Sequence, residues 1–123
     1  MESNKKKTLV LGASANPARY SYLAINRLRN HNHPVVAIGK KSDKVFDVEV
    51  GTEKQPFDNV DTVTLYLNPK NQEQYYDYIL SLNPRRIIFN PGTENDELAE
   101  MAHKKGIKTM EGCTLVMLST GQY

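Results

Sequence analysis

Apolar and polar positions follow one another along the chain in two rhythms. Short, continuously apolar runs that contain β-branched residues are typical of strands buried on both faces of a sheet. Between these runs, apolar positions recur three and four residues apart, as they do on the buried side of a helix. The run at 8–11 is of this kind, and with the segments at 34–39, 62–67, 86–89 and 107–110, some of which include polar residues, it predicts five strands.

The first helix shows the second rhythm most clearly. Asn is a favoured N-cap residue, and Pro at the first helical position loses an N–H that has no partner there. Asn16-Pro17 therefore predicts a helix that begins at Pro17. A narrow apolar stripe, which fits a helix lying on a sheet, follows at Ser21, Ala24, Ile25 and Leu28.

The later segments continue the alternation. Asn68-Pro69 begins a second helix, and a third turns inward through Leu98, Met101 and Ala102. Less regular structure is expected over 42–61, with a short edge strand at 45–50, and a closing helical turn at 113–118. Strand and helix alternate throughout, which predicts an α/β fold. We expect a three-layer, Rossmann-like, doubly wound parallel sheet of about five strands with helices on both faces.

Composition bounds the class of protein. With 123 residues, 39% of them hydrophobic, the chain can bury one core. We expect a single domain over 1–123, with 1–6 as a flexible flank. The net charge of +2 gives no electrostatic case for nucleic acid or membrane binding, and no protein partner can be identified. One cysteine, Cys113, excludes an internal disulfide and fits the cytoplasm, as does the lack of a long apolar run.

The loops after the strands are the place to look for a ligand, because ligands of doubly wound sheets bind beyond the carboxyl ends of the strands. The first exit joins a buried strand to a helix through a turn of small residues. Such a turn leaves unpaired N–H groups beside the positive end of a helix, which favours an anion. Four predicted exits share this edge, at 12–19, 39–41, 67–69 and 90–92.

The identity of the anion depends on the first two exits. The first differs from the dinucleotide fingerprint G-x-G-x-x-G, since Ser14 and Pro17 replace its second and third glycines. An NAD site also needs an acid near the end of the second strand, to accept from the ribose 2′-OH. Lys40 and Lys41 stand there, and Asp43 comes later among lysines. This basic exit suits a phosphorylated ribose, as in CoA or NADP.

Arg19 is a second sign of a phosphate. A cation in the first turn of a helix opposes the helix dipole unless an anion lies nearby. Arg19 falls in the first turn of the predicted helix. A phosphate contact would explain its place there.

Three segments carry a resemblance to a known family. They are Gly12-Ala13-Ser14 with Asn16-Pro17-Ala18-Arg19-Tyr20-Ser21, then Asn90-Pro91-Gly92-Thr93-Glu94, and Gly106-Ile107 followed by Gly112-Cys113. Nearly from end to end, the chain resembles the small CoA-binding domain proteins and is similar to the N-terminal CoA-binding domain of the succinyl-CoA synthetase α subunit. The resemblance implies that 12–14 and Arg19 hold the pyrophosphate, that 39–41 line the adenosine side, and that 90–92 shape the pocket wall.

The full set of predicted binding residues combines the exits with this resemblance. It consists of Gly12, Ala13, Ser14, Asn16, Pro17, Arg19, Tyr20, Ser21, Gly39, Lys40, Lys41, Leu67, Asn68, Asn90, Pro91 and Gly92. The predicted ligand is coenzyme A or an acyl-CoA.

Catalytic groups are not recognisable near this edge. His31 and His33 precede the second strand and are expected on the surface of the opposite edge, and His103 is expected to be solvated near a helix end. The spacing of the carboxylates in the third helix fits a solvated helix start, with no metal site among Asp96, Glu97 and Glu100.

We therefore expect a non-catalytic module that binds CoA or an acyl-CoA as a carrier, sensor or regulator. Two alternatives remain open: an NADP-type oxidoreductase, and thiol exchange between CoA and Cys113, which lies after the last predicted strand. An interaction domain that keeps the fold without the ligand also remains open, because fold does not imply function.

Overall fold

A computed structural model describes residues 5–123; residues 1–4 of the predicted flank lie outside them. The described residues form one seven-stranded sheet with helices around it. Its strands are β1 (Thr8–Ala13), β2 (Val35–Gly39), β3 (Asp43–Val45), β4 (Val48–Gly51), β5 (Thr62–Leu65), β6 (Arg86–Phe89) and β7 (Lys108–Glu111). The helices are α1 (Tyr20–Asn30), α2 (Pro69–Gln72), α3 (Tyr76–Ser81), α4 (Asp96–Lys104) and α5 (Thr114–Ser119), and a 3₁₀ turn at Glu73–Tyr75 joins α2 to α3.

The strand order confirms the predicted Rossmann-like fold. The order is β3-β4-β2-β1-β5-β6-β7, and all neighbours are parallel except β3 and β4. From β1 the chain builds outward through β2 to the β3–β4 pair, of which β3 is the edge strand, and then returns to the other side of β1 at β5. The switch point of the sheet therefore lies between β1 and β5.

The number of strands differs from the predicted five. The segment predicted as one edge strand, 45–50, is instead the centre of an antiparallel hairpin in which Val45 pairs with Val48. Phe46 and Asp47 form its turn, and Phe46 has a φ of 54°. Bulky residues seldom adopt such a φ, so the local sequence does not predict a turn here. The carboxylate of Asp47 is held in place by Arg29 at 2.9 Å.

Successive residues of the strands contribute alternately to two apolar layers, one on each face of the sheet. On one face, Leu9, Leu11 and other strand residues pack against α3 and α4, and on the opposite face Val10 and its neighbours pack against α1 and α5. The stripe predicted for α1 is buried as expected. Among the helices of residues 5–123, none combines the length and the apolar character that crossing a membrane requires.

The start of α1 differs from the prediction. The helix begins at Tyr20, and the N-cap is Arg19, with φ −93° and ψ 143°. Asn16 does form a turn, because its Oδ1 accepts from the N–H of Ala18 at 3.0 Å and its carbonyl accepts from the N–H of Arg19 at 3.0 Å. This turn ends before the helix begins, since the extended backbone of Arg19 separates the two.

The amino edge of the sheet is covered by Tyr123. Its ring centroid lies 4.4 Å from the guanidinium carbon of Arg86 and 4.9 Å from the ring of His33, in an edge-on contact. The Nδ1 of His33 accepts from the backbone N–H of Lys6 at 2.9 Å. The prediction placed His33 at this edge but on the surface, which is wrong: it is 7% exposed, because a residue 90 positions away packs against it.

Burial of His33 predicts a loss of stability in acid. The pKa of His33 is lowered from 6.5 to about 4, chiefly by burial and then by Lys6 and other nearby cations. Since the native state favours the neutral ring, its contribution is complete above pH 6.5 and is lost as the pH falls toward 4. His33→Asn keeps an acceptor but does not titrate. We expect the stability advantage of the wild type over this variant to shrink by about 2 kcal/mol between roughly pH 7 and pH 4.5.

Urea unfolding, monitored by circular dichroism, measures the difference in stability between the two proteins at each pH. His103→Asn is the matched control, because His103 is exposed. An advantage of the wild type that stays constant with pH would contradict the buried, neutral state of His33.

Candidate functional site

The carboxyl ends of β1, β2, β5, β6 and β7 meet at one edge of the sheet, because these strands are parallel. This edge brings together all four predicted exits. The exits of β1 and β5 flank the switch point, where ligands of such sheets bind. β5 ends at Leu65 rather than at the predicted residue 67, so Tyr66, Leu67 and Asn68 belong to its exit.

Two glycines allow the three central strand exits to approach one another. A Cβ on Gly39 would lie 2.2 Å from the carbonyl oxygen of Ala13, and a Cβ on Gly12 would lie 2.9 Å from the backbone carbon of Tyr66. Gly12 also has a φ of +94°, which favours glycine. The close packing of β2 on β1, and of β1 on β5, depends on these residues.

The loop after β1 is fixed by its own side chains. Ser14 Oγ accepts from the N–H of Asn16 at 3.0 Å, and Asn16 in turn holds Ala18. Asn16, Pro17 and Arg19 are exposed. The loop is therefore held in one conformation while its outer surface stays accessible.

The N-terminus of α1 is open to a ligand. Among the hydrogen bonds of the described residues, none is donated by the backbone N–H of Tyr20 or of Ser21. The first turn of α1 has neither a side-chain cap nor an acidic residue. In contrast, Asn68 caps α2 and Asn95 caps α4. Free N–H groups and the positive end of the helix dipole at α1 favour an anion.

Exposed cations stand at this helix end and directly after the neighbouring strand. Arg19 stands at the N-cap of α1, and Lys40 and Lys41 follow β2, whose last residue pairs with the last residue of β1. Asp43, the acid nearest in sequence to these lysines, hydrogen-bonds the N–H of Lys44 at 2.8 Å. This part of the edge therefore has an excess of positive charge.

Asn90 lies inside the protein, where it joins three elements. Its Nδ2 donates to Thr64 Oγ1 at 2.7 Å and to the carbonyl of Leu65 at 2.9 Å, and its Oδ1 accepts from the N–H of Thr114 at 2.9 Å. The side chain is 2% exposed. Asn90 thus fixes the exits of β5 and β6 against the start of α5, while Pro91 and Gly92 lie on the surface.

A second buried amide, which the sequence analysis missed, ties the same two exits together. Gln72 Nε2 donates to the carbonyls of Leu67 and Thr93, both at 2.8 Å, and its Oε1 accepts from Asn95 at 2.9 Å. Gln72 is fully buried. It lies in a polar stretch of sequence, so no pattern marks it as different from its exposed neighbours.

Tyr66 is a further residue of this edge that the sequence analysis missed. Its hydroxyl is buried and has no hydrogen-bond partner among the described residues. Burial raises the pKa of Tyr66, and the nearby Cys113 raises it further, while the hydroxyls of Thr64 and Thr114 partly offset this rise. The half-buried thiol of Cys113 precedes α5 at the same edge. The sequence signal that could have identified Tyr66 as a residue of this edge is its position directly after a strand, two residues beyond Thr64.

The histidines lie away from this edge. His31 and His33 are at the amino edge, and the Nε2 of His103 lies 2.8 Å from Thr109 Oγ1. Within residues 5–123, no three side chains of the metal-ligating types come together as a metal site.

Two hollows open at the amino edge, opposite the predicted site. One, of about 480 Å³, lies beside the ion pair of Asp61 and Arg85, whose atoms are 2.9 Å apart. The other, of about 410 Å³, lies beside Lys6 and Tyr123. Both are wide open and lined mostly by loop residues, and neither includes a residue of the exits of β1 and β2.

The strand order and the glycine-containing exits define a Rossmann-like α/β domain. The sequence matches the CoA binding domain family over residues 6–119, and the chain belongs to this family. Family membership supports a small, nucleotide-like ligand. No curated protein matches the chain.

Solved structures share this fold. An uncharacterized protein of known crystal structure is 51% identical, with 97% of this chain and 98% of that chain covered and a TM-score of 0.94. A hypothetical protein from Pyrococcus horikoshii OT3 is 21% identical over 96% of this chain and 84% of its own, with a TM-score of 0.86. A protein from Thermus thermophilus is 20% identical over 98% and 92%, with a TM-score of 0.83. The last two show the fold alone.

Proposed function

We propose that this protein binds coenzyme A, free or acylated, at the carboxyl edge of its sheet without catalysing a reaction, and acts as a carrier, sensor or regulator of CoA. The observation that carries the proposal is the open N-terminus of α1 at the switch point, with free N–H groups at Tyr20 and Ser21 and a cation at Arg19. A diphosphate matches these groups in charge and in hydrogen-bonding capacity.

The distribution of charge supports one orientation of the ligand. The exits of β1 and β2 carry Arg19, Lys40 and Lys41, whereas Glu94 and Glu111 lie near the exits of β6 and β7. The phosphorylated adenosine half of CoA carries all of its negative charge, and the pantetheine half is neutral. We therefore orient the adenosine half over β1 and β2, and the sulfur toward β6 and β7.

The lack of a catalytic role rests on the polar groups of the edge. General acid–base catalysis needs a titratable group within hydrogen-bond reach of the ligand. Of the titratable groups at this edge, Glu94 accepts from the N–H of Gly92 at 2.9 Å, and Cys113 is a candidate nucleophile. The histidines, the residues most often used in acid–base catalysis, lie elsewhere, and the amides of Gln72 and Asn90 are committed to internal hydrogen bonds. These groups hold the loops in place, which is what a binding module requires.

The test is a titration of the purified protein with CoA, acetyl-CoA, NAD and NADP, in which binding is measured by isothermal calorimetry and by thermal shift. We expect CoA or acetyl-CoA to bind, and Arg19→Ala to weaken binding about tenfold to a hundredfold, because a charge-assisted contact to phosphate is worth about 1.5–3 kcal/mol. Arg27→Ala is the matched control, since Arg27 is exposed in the last turn of the same helix. The same titration decides between the proposal and its first alternative: an NADP response without a CoA response would replace it with a dinucleotide-dependent oxidoreductase.

The position of Cys113 favours a second candidate function. The thiol lies at the same edge as the orphaned hydroxyl of Tyr66, in the direction that the sulfur of CoA would take. In thiol exchange, the Cys113 thiolate would attack a CoA disulfide, form a mixed disulfide with CoA and release the other thiol as its thiolate. Mass spectrometry after incubation with oxidised CoA would have to show a CoA adduct on Cys113 that a reductant removes. An unmodified thiol would exclude this function and leave the binding proposal intact.

A further inference from the structure

Tyr20 combines two features that do not occur together in Ser21 or Tyr22. Its backbone N–H is one of the free donors at the start of α1, and its ring is 71% exposed. Tyr22, two residues later, packs into the apolar layer beneath α1, and Ser21 is buried. The ring of Tyr20 belongs to neither apolar layer. It therefore adds little to the stability of the fold.

The backbone that carries this ring is held firmly. The loop before it is fixed by the hydrogen bonds of Ser14 and Asn16 and by the ring of Pro17, and the helix after it is anchored by Ala24 and Ile25. An aromatic side chain on such a support presents a flat apolar face at a small cost in conformational entropy. The adjacent Arg19 is exposed as well. An aromatic face beside cations is the chemistry that holds a nucleotide, since the base stacks while the phosphates are neutralised.

We propose that Tyr20 is the platform on which the adenine base of the ligand stacks, so that one residue holds phosphate through its N–H and the base through its ring. This inference rests on the proposed function. It assigns the base to the first turn of α1 and makes Tyr20 a specificity-determining residue for ligands that contain a purine.

The test compares three probes: CoA, adenosine 3′,5′-bisphosphate, which lacks pantetheine, and 4′-phosphopantetheine, which lacks the base. We expect Tyr20→Ala to weaken CoA and the bisphosphate about tenfold, as loss of one stacking partner does, and to leave 4′-phosphopantetheine within about twofold. Tyr20→Phe keeps the aromatic face and should bind as the wild type does. Leu23→Ala, one turn further along the same helix and 37% exposed, is the control and should have no effect.

A fluorescence measurement supplies an independent readout, because the chain has seven tyrosines and no tryptophan. Adenosine 3′,5′-bisphosphate should quench the emission of the wild type, after correction for absorbance, and should quench Tyr20→Phe less although it binds that variant equally well. The factor lost in Tyr20→Ala should also be the same at low and high salt, whereas the factor lost in Arg19→Ala should shrink with salt.

Three results would overturn the assignment: unchanged affinity of Tyr20→Ala for CoA, an equal loss for 4′-phosphopantetheine, or a loss in Tyr20→Phe that matches the alanine variant. Each of these is compatible with CoA binding that depends on Arg19, so the proposed function would survive. A wild-type protein that binds none of the three probes would instead overturn the proposed function, and this inference with it.

Discussion

Replacing Gly39 with alanine is expected to destabilise the protein by about 3 kcal/mol or more, in the upper range for overpacking. The added methyl group would lie 2.2 Å from the carbonyl oxygen of Ala13 and 3.2 Å from a methyl of Val50. The oxygen belongs to the backbone of β1, so it cannot move aside as a flexible side chain would. β2 must therefore shift relative to β1, which also displaces Lys40 and Lys41.

Urea unfolding measures the loss of stability, and CoA titration of the folded fraction measures the displacement of the lysines. Gly51→Ala is the matched control: this glycine also ends a strand, but its added Cβ would meet no atom closer than 3.9 Å. We expect the control to unfold within about 0.5 kcal/mol of the wild type. A Gly39→Ala protein with wild-type stability would mean that the exits of β1 and β2 are further apart than the structure has them.

The elements that follow from local spacing were predictable from the sequence. The four buried positions of α1 recur at helical intervals, and the cap of α2 by Asn68 involves residues three apart, with Asn68 Oδ1 accepting from the N–H of Asn71 at 2.9 Å. β6 contains three consecutive apolar residues, 87–89, and its bounds match the prediction. Each of these features depends only on residues close together in the sequence. They can therefore be predicted from the sequence.

Choices between local alternatives were harder to predict. Asn16 can cap a helix or hold a tight turn, and its hydrogen bond to Ala18 shows that it does the latter. The alternation at 45–50 suits one strand or two, and in the hairpin that forms, Asp47 of the turn is bound by Arg29, 18 residues earlier in α1. Both errors concern which of two allowed structures a short segment adopts.

The candidate site was predictable to the level of its loops but not of the side chains that hold them. Parallel strands bring their exits to one edge, so the four segments follow from topology. The environment of Asn90, however, depends on Thr64 and Leu65 some 25 residues earlier and on Thr114 24 residues later. The sequence predicts that Asn90 stands at the edge, while its buried, inward-facing amide appears only in three dimensions.

Replacing Asn90 with leucine, which has a similar size, is expected to lower the free energy of unfolding by about 3 kcal/mol. The change leaves the N–H of Thr114 without its buried partner, and an unsatisfied buried group costs about 1–3 kcal/mol. The hydroxyl of Thr64 loses one of its two partners and keeps the hydroxyl of Thr114 at 2.8 Å. The carbonyl of Leu65 loses the amide donor as well. Asn68→Ala is the control, because this exposed asparagine forms one capping bond and its loss should cost about 1 kcal/mol.

The same substitution tests how the site is organised, because Asn90 lies inside the protein and cannot itself reach the ligand as placed. If it acts by fixing the exits of β5 and β6 against α5, the folded Asn90→Leu protein should bind CoA more weakly and should show faster amide exchange at Thr114 and Thr93. Binding at the other end of the edge, measured with adenosine 3′,5′-bisphosphate at Arg19 and Tyr20, should then change by less than about twofold. An equal loss for both ligands would mean that the two halves of the edge form one cooperative unit, in which the buried amide supports the α1 end as strongly as its own. Wild-type affinity for both would show that the pocket wall at Pro91 and Gly92 does not contact the ligand.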